Sequence, residues 1–343
     1  MGPLRTYGVL NAKVRAMRSV LLSTEQYLSL IRAEDLRETI RLLGEYGYAA
    51  LAEEAGHADT ERLELALKAE ELHRIRRIAG KAGRPVSAVL HEILQEFEAE
   101  RLKWILRLWF QKRGEPKTFL RDPALSPLPV HEIFDAPALD DVLHLLRGHP
   151  FHRVLTDARV EFEAKQTLFP FELAIDREQI RRFFESIEKL NRRDRRICRE
   201  LAGIEIDLKN LNWIERFRRY YKMGSAEILS RLLPGGQRLG PDRLRRIVSE
   251  GRVGPILSEW EQDIPIPPEK EGEAKLMLQN LELFLNHVML RRARRAFAGF
   301  PFSIGAVLGY RLLLGIQTMN LRTVIQGKAY ELAADELQSR LVI

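Results

Sequence analysis

One cysteine, Cys198, stands in 343 residues. An intrachain disulfide and a cysteine-rich metal centre are therefore excluded, and the usage fits a reducing compartment. Long apolar runs are missing too. The most hydrophobic stretch, residues 302–319, is interrupted by Arg311 and falls short of the roughly 20 residues needed to span a bilayer. The N-terminus lacks the apolar core of a signal peptide. Met1-Gly2-Pro3-Leu4-Arg5-Thr6 fits the loose N-myristoylation pattern, but proline directly after the acceptor glycine argues against it. Runs of strand-like alternation are scarce, so the chain reads as all-α.

Catalytic signatures are also wanting. Gly327-Lys328 lacks the upstream glycine and the following Ser or Thr of a Walker A loop. Gly235-Gly-Gln-Arg-Leu-Gly240 resembles a phosphate-cradling loop but follows no strand, so it reads as a turn. His91-Glu92 and His131-Glu132 have no histidine four residues after the first, and Pro150 interrupts the grouping of His144, His149 and His152. No Ser/His/Asp or Cys/His arrangement stands out. The expectation is a non-enzyme with no catalytic residue, no cofactor and no metal.

What is present is charge. Lys and Arg number 55 against 48 Asp and Glu, a net +7. That excess favours an acidic partner without saying whether it is protein, lipid headgroup or nucleic acid. The arginine clusters lie among abundant acids, with no reading helix or stacking motif, which argues against nucleic acid. A generic helical scaffold and a basic nucleic-acid binder are the alternatives carried forward.

The chain also repeats itself. Residues 98–107, 207–216 and 317–326 are three versions of one helical pattern. Arg101, Asn210 and Asn320 mark it at intervals of about 110 residues, a spacing that suits a small domain used three times. At 100° per residue the three wheels superimpose. Each sets a polar pair at i, i+3 inside an apolar arc: Glu98 and Arg101, Asp207 and Asn210, Gln317 and Asn320. A buried polar group left unpaired costs roughly 1–3 kcal/mol, so the pairs are expected to have partners. Because Gln317 replaces the acid, an ionisable group is not required. The pairs read as a structural lock in three homologous helical domains, at 1–116, 117–229 and 230–343.

Between these marks the expected helices are clear. Leu10, Val14, Met17 and Leu21 form an apolar stripe, and Ser23 with Gln26 forms a capping box for a second helix. A short helix follows at about 34–43, and long helices are expected at 60–78, 87–112, 176–201, 273–297 and 304–327. Others are expected at 138–146, 242–249 and 330–341. The helix carrying Asp207 is expected to begin after Gly203, and a turn falls at Pro265 to Pro268. Each helix before a central one bears a basic cluster: Arg74, Arg76 and Arg77; Arg192, Arg193, Arg195 and Arg196; Arg291, Arg292, Arg294 and Arg295. These are candidate partner-binding patches, able to line a shared opening.

Tyr7-Gly-Val-Leu-Asn-Ala-Lys-Val-Arg-Ala-Met17, Leu21-Leu22 and Tyr27-Leu28 resemble the opening of the V/A-type ATPase C subunit, the prokaryotic counterpart of the eukaryotic d subunit. The resemblance continues in Glu205-Ile-Asp207-Leu-Lys-Asn210-Leu, Leu232-Leu-Pro-Gly-Gly236 and Asn320-Leu-Arg322-Thr-Val-Ile-Gln-Gly327-Lys328, and so covers essentially the whole chain. It departs from the pattern at Gln317, where the family usually has an acid, and around Pro241, where the third repeat opens briefly. The resemblance implies a funnel of three similar helical domains, present once per complex on the cytoplasmic face of the membrane. Its partners would be the central shaft and the membrane rotor ring. It would transmit torque between ATP turnover and proton or sodium movement.

Overall fold

The computed structural model describes residues 3–53, 60–112, 128–219, 221–250 and 274–343. Among them the chain forms sixteen helices and no strand. The fold is all-α.

Two compact units share the chain: residues 1–82 with 191–343, and residues 83–190. The larger unit begins with α1 (Pro3–Arg18), α2 (Thr24–Arg32), α3 (Leu36–Glu45), α4 (Ala49–Glu53) and α5 (Thr60–Ala79). The smaller holds α6 (Val86–Gln111), α7 (Val130–Asp135), α8 (Leu139–Leu145), α9 (His152–Lys165) and α10 (Phe169–Ile187). The larger then resumes with α11 (Arg192–Arg219), α12 (Ser225–Arg231), α13 (Pro241–Glu250), α14 (Ala274–Ala298), α15 (Gly305–Ala329) and α16 (Ala334–Ser339). The expected capping box forms at α2: the Gln26 N–H donates to Ser23 Oγ, and the Ser23 N–H donates to the Gln26 side chain.

Three helix expectations need correction. The break expected near Gly203 does not exist, because α11 runs unbroken from Arg192 to Arg219. The chain breaks instead before Asn191, whose side-chain oxygen takes the Asp194 N–H at 3.1 Å and starts α11. Glycine at 203 serves a different need: a Cβ there would lie 2.8 Å from that of Gln237, so the loop after α12 crosses the helix at this point. The helix expected at 330–341 shortens to α16, and its end becomes a buried tail in which Leu341 and Val342 are core residues. Finally, α4, α7, α9 and α12 formed without being anticipated. The turn at Pro265 to Pro268 lies outside the described residues.

The cores show how the repeated helices are used. In the smaller unit, Ala99, Leu102, Ile105, Leu106 and Trp109 of α6 pack with Val130, Ile133, Val142, Phe151, Leu155 and Phe171. These partners belong to the sequence that follows α6. In the larger unit, Leu321, Val324 and Ile325 of α15 pack with Tyr27, Leu30, Ile40, Leu43, Leu51 and Leu63. Those partners come from the start of the chain. At about 25 cal/mol per Å² of apolar surface removed from water, such clusters are the main stabilising contribution of either unit. α14 and α15 approach closely where Gly309 faces them: a Cβ there would sit 2.7 Å from the Phe297 nitrogen, and only glycine permits that.

Candidate functional site

The repeated polar pairs fall on α6, α11 and α15, and all six residues are buried. Asp207 is fully enclosed. Its carboxylate accepts the backbone N–H groups of Gln237 at 3.0 Å and Arg238 at 2.6 Å on one oxygen, and of Leu239 at 3.2 Å on the other. Three consecutive donors form an anion-binding nest. Glycine at 236 is obligatory, since a Cβ would stand 2.1 Å from Asp207 Oδ1, and Gly235 takes a φ of +94° in the left-handed region. The stretch that resembles a phosphate loop is thus an anion cradle filled by the protein's own carboxylate. Burial pushes that carboxyl above its ordinary range, and the three backbone donors oppose the rise.

One turn along α11, Asn210 grips a single residue twice. Its Nδ2 donates to the Leu233 carbonyl at 2.9 Å, and its Oδ1 accepts the Leu233 N–H at 2.8 Å. Asn320 on α15 makes the same pair of hydrogen bonds to Val342, at 2.8 and 3.0 Å. The two asparagines act on residues 23 and 22 positions further along. Amide is the only group suited to this task, because it offers one donor and one acceptor side by side.

Gln317 does a different job from Asp207. Its Oε1 accepts the Leu22 N–H at 2.7 Å, while its Nε2 donates to the Tyr48 hydroxyl. An amide can accept and donate at once, whereas an ionised carboxylate can only accept. Lys328 adds to the hold on the same segment, donating to the carbonyls of Ile31 and Ala33. In α6 the equivalent residues Glu98 and Arg101 face each other with a closest N–O separation of 3.7 Å. Nearby, burial drives the His149 imidazole down to about 4, with the Arg182 and Arg101 charges adding to the effect.

Residues of the basic clusters are placed unevenly. Arg74 is buried, bonded to Glu70 at 2.6 Å and lying 4.7 Å over the Tyr48 ring. Arg76 is half-buried, and Arg77 is exposed. Arg192, Arg193 and Arg196 are exposed, and Arg195 is half-buried. Arg294 and Arg295 are exposed, with Arg291 and Arg292 half-buried. All three clusters lie in the larger unit. The element that joins them is α1, which by its sequence was only an apolar stripe. Tyr7 donates its hydroxyl to buried Asp194 at 2.6 Å, Lys13 Nζ donates to the Arg77 carbonyl, and the Arg15 guanidinium lies 5.4 Å from the Phe297 ring centre. Asp194 also accepts the Ile304 N–H at 3.0 Å and a bond from the Asn191 side chain, so this acid is consumed internally. A signal was available: Tyr7 falls on the same wheel arc as Leu10, Val14 and Met17.

No group of His, Cys, Asp or Glu among the described residues is arranged to hold a metal ion, and none of the described helices is long and apolar enough to cross a membrane. Asp207, Asn210, Gln317 and Asn320 each bond to backbone groups elsewhere in an all-helical fold. Over residues 10–340 the chain matches the family described as ATP synthase (C/AC39) subunit, and it belongs to that family. A relative from Methanocaldococcus jannaschii, named as the C subunit of an A-type ATP synthase, is 24% identical over 99% of this chain and 87% of its own length. Proteins of the same name from Haloferax volcanii and Archaeoglobus fulgidus are 25% and 22% identical. Each covers 97% of this chain and 96% or 95% of its own length. The family is an accessory, non-catalytic one.

Proposed function

We propose that this chain is the rotor adaptor of a V/A-type ATPase: it links the central shaft to the membrane rotor ring and passes torque between ATP turnover and ion movement. One copy would serve each complex, held peripherally on the cytoplasmic face through its partners. The observation that carries this reading is the family match across residues 10–340, which leaves almost no part of the chain for another role. The braces support it. A torque-bearing part must resist shear between its helices, and buried polar pairs with fixed geometry hold register at some cost in stability. On this reading Glu98, Arg101, Asp207, Asn210, Gln317 and Asn320 are the locks, and three repeats at 1–116, 117–229 and 230–343 form the funnel.

The pairing follows an order that suits such a body. The α11 pair holds residues 233–239, at the start of the third repeat, and Gln317 of α15 holds Leu22 and Tyr48, in the first. A chain tied from last repeat to first resists opening under load. The test is affinity purification of the tagged chain from detergent-solubilised membranes. Stoichiometric recovery of the shaft and ring subunits is expected. Recovery of the chain without any ATPase subunit would overturn the reading.

A further inference from the structure

The net charge of the chain is small, yet its acids are absent from particular places. Residues 1–24 contain Arg5, Lys13, Arg15 and Arg18 and no Asp or Glu. Residues 72–82 and 283–330 are likewise free of acids. The fold brings these segments together around α1. Lys13 sits on the carbonyl of Arg77 at the end of α5, Arg15 sits over Phe297 at the end of α14, and Arg193 at the start of α11 lies 4.5 Å over the ring of Phe300. From Tyr7 to Arg15 the contacts span nine residues of one helix, about 12 Å over eight steps of 1.5 Å.

Burial, then the positive charges of Arg77 and Lys81, hold the Lys13 ammonium below its ordinary range. Some of these cations complement helix C-termini, as basic residues in a last turn do. That accounts for Arg77 and Arg295, for Arg15 in the last turn of α1, and for Lys13 on the Arg77 carbonyl, yet Arg15, Arg77 and Arg295 remain exposed cations in segments that hold no Asp or Glu.

The exposed face of α1 between the two basic edges has a helical period. Val9, Ala12 and Ala16 are exposed at i, i+3 and i+7, with Ser19 continuing the period just past the helix end and Lys13 and Arg15 flanking them on opposite sides. This is the layout of a coiled-coil seam with basic e and g positions. Small residues in such a seam allow helix axes to approach to the short end of the usual 8–10 Å.

We propose that the outer face of α1, with Lys13, Arg77 and Lys81 along one edge and Arg15, Arg294 and Arg295 toward the other, docks an acidic amphipathic helix of a partner protein. The partner helix carries a narrow apolar stripe flanked by Asp or Glu on both sides. Stacking on Phe297 fixes the Arg15 guanidinium, which then presents a preformed fork to a carboxylate. A nucleic-acid backbone would use the cations but leave the periodic small-residue seam without a counterpart. This surface is independent of the rotor reading, since its chemistry specifies a kind of partner and not an identity.

The test uses the full-length chain and a fluorescent 21-residue helical peptide with a Leu seam and Glu flanks. Its Glu-to-Gln counterpart, anionic phosphatidylglycerol vesicles and a 20-mer single-stranded oligonucleotide are measured beside it. The Glu peptide is expected to bind at least tenfold tighter than the Gln peptide, and to weaken as salt rises. Arg15→Glu with Arg77→Glu, or Ala12→Trp alone, should weaken that binding at least tenfold. Arg153→Glu, on the exposed surface of the smaller unit, should leave it unchanged. Ala12 is exposed, so its replacement by Trp leaves the core intact, and circular dichroism checks this. Equal binding of the two peptides, indifference to both α1 variants, or tighter binding of vesicles or oligonucleotide than of the Glu peptide would overturn the proposal.

Discussion

Replacing Asn210 by leucine isolates the brace in its simplest form. The side chain is fully buried and makes two hydrogen bonds, both to Leu233. Leucine has the same number of side-chain heavy atoms in the same branched arrangement, so the substitution removes chemistry more than it opens space. Two bonds disappear at a net worth of about 1 kcal/mol each, and the Leu233 N–H and carbonyl are left without partners at roughly 1–3 kcal/mol apiece. The extra apolar burial recovers about 1–2 kcal/mol of this. A loss of about 2–7 kcal/mol follows, a large share of the stability of an ordinary domain. Because the chain has two compact units, one unfolding curve is not a sound measure. Amide hydrogen exchange is better, since it reads each segment separately. Residues 233–239 in Asn210→Leu should exchange at least 30-fold faster than in the parent, with the smaller unit unaffected. Protection of that loop at the parental level would show that the amide braces nothing.

Four further outcomes follow from the same geometry. Asn320→Leu should release the tail at Val342 with a loss of similar size, detected as faster exchange of residues 340–343. Gly236→Ala should cost about 2–4 kcal/mol, because the new methyl collides with Asp207 Oδ1. In an Asp207→Asn background the two losses should combine non-additively in a double-mutant cycle. His149 falls from 6.5 unfolded to about 4 in the fold, so the unfolded chain binds more protons between those values. The smaller unit should therefore lose stability as pH drops from 6.5 towards 4, by at most about 3 kcal/mol at 1.36 kcal/mol per pH unit. His149→Gln should flatten that slope in urea titrations. Burial raises the Cys198 thiol well above its ordinary value. A disulfide reagent should leave it unmodified in the native chain and react once the protein is unfolded.

Much of the helical layout was legible because helices announce themselves through period and punctuation. The α2 capping box, the long helices around residues 60–79, 86–111 and 305–329, and the burial of all six polar positions could be read from the residues alone. The break before α11 could not, because Asn191 and Gly203 are both plausible interruptions, and the choice depended on Gln237 crossing at Gly203. Which partner each polar pair holds was hidden for the same reason. Leu233, Val342 and Leu22 contribute backbone groups, and backbone carries no sequence signature. The basic clusters were visible as strings of arginine. Their meeting at α1 was not, since Lys13 and Arg15 looked like the solvated side of an ordinary amphipathic helix.

The compact units also cut the chain differently from its sequence pattern. The break at residues 82–83 separates α5 from α6, and the one at 190–191 separates α10 from α11. The first and last of the repeated central helices therefore pack with sequence from a neighbouring copy. A pattern read along the chain finds what is duplicated, whereas packing decides what lies together.

ATP-driven ion pumping by the reconstituted complex, assembled with and without this chain, decides the adaptor role. If the chain is the adaptor, hydrolysis by the soluble head continues without it, while pumping stops and returns when the chain is added back. Undiminished pumping by the complex lacking the chain would rule that role out.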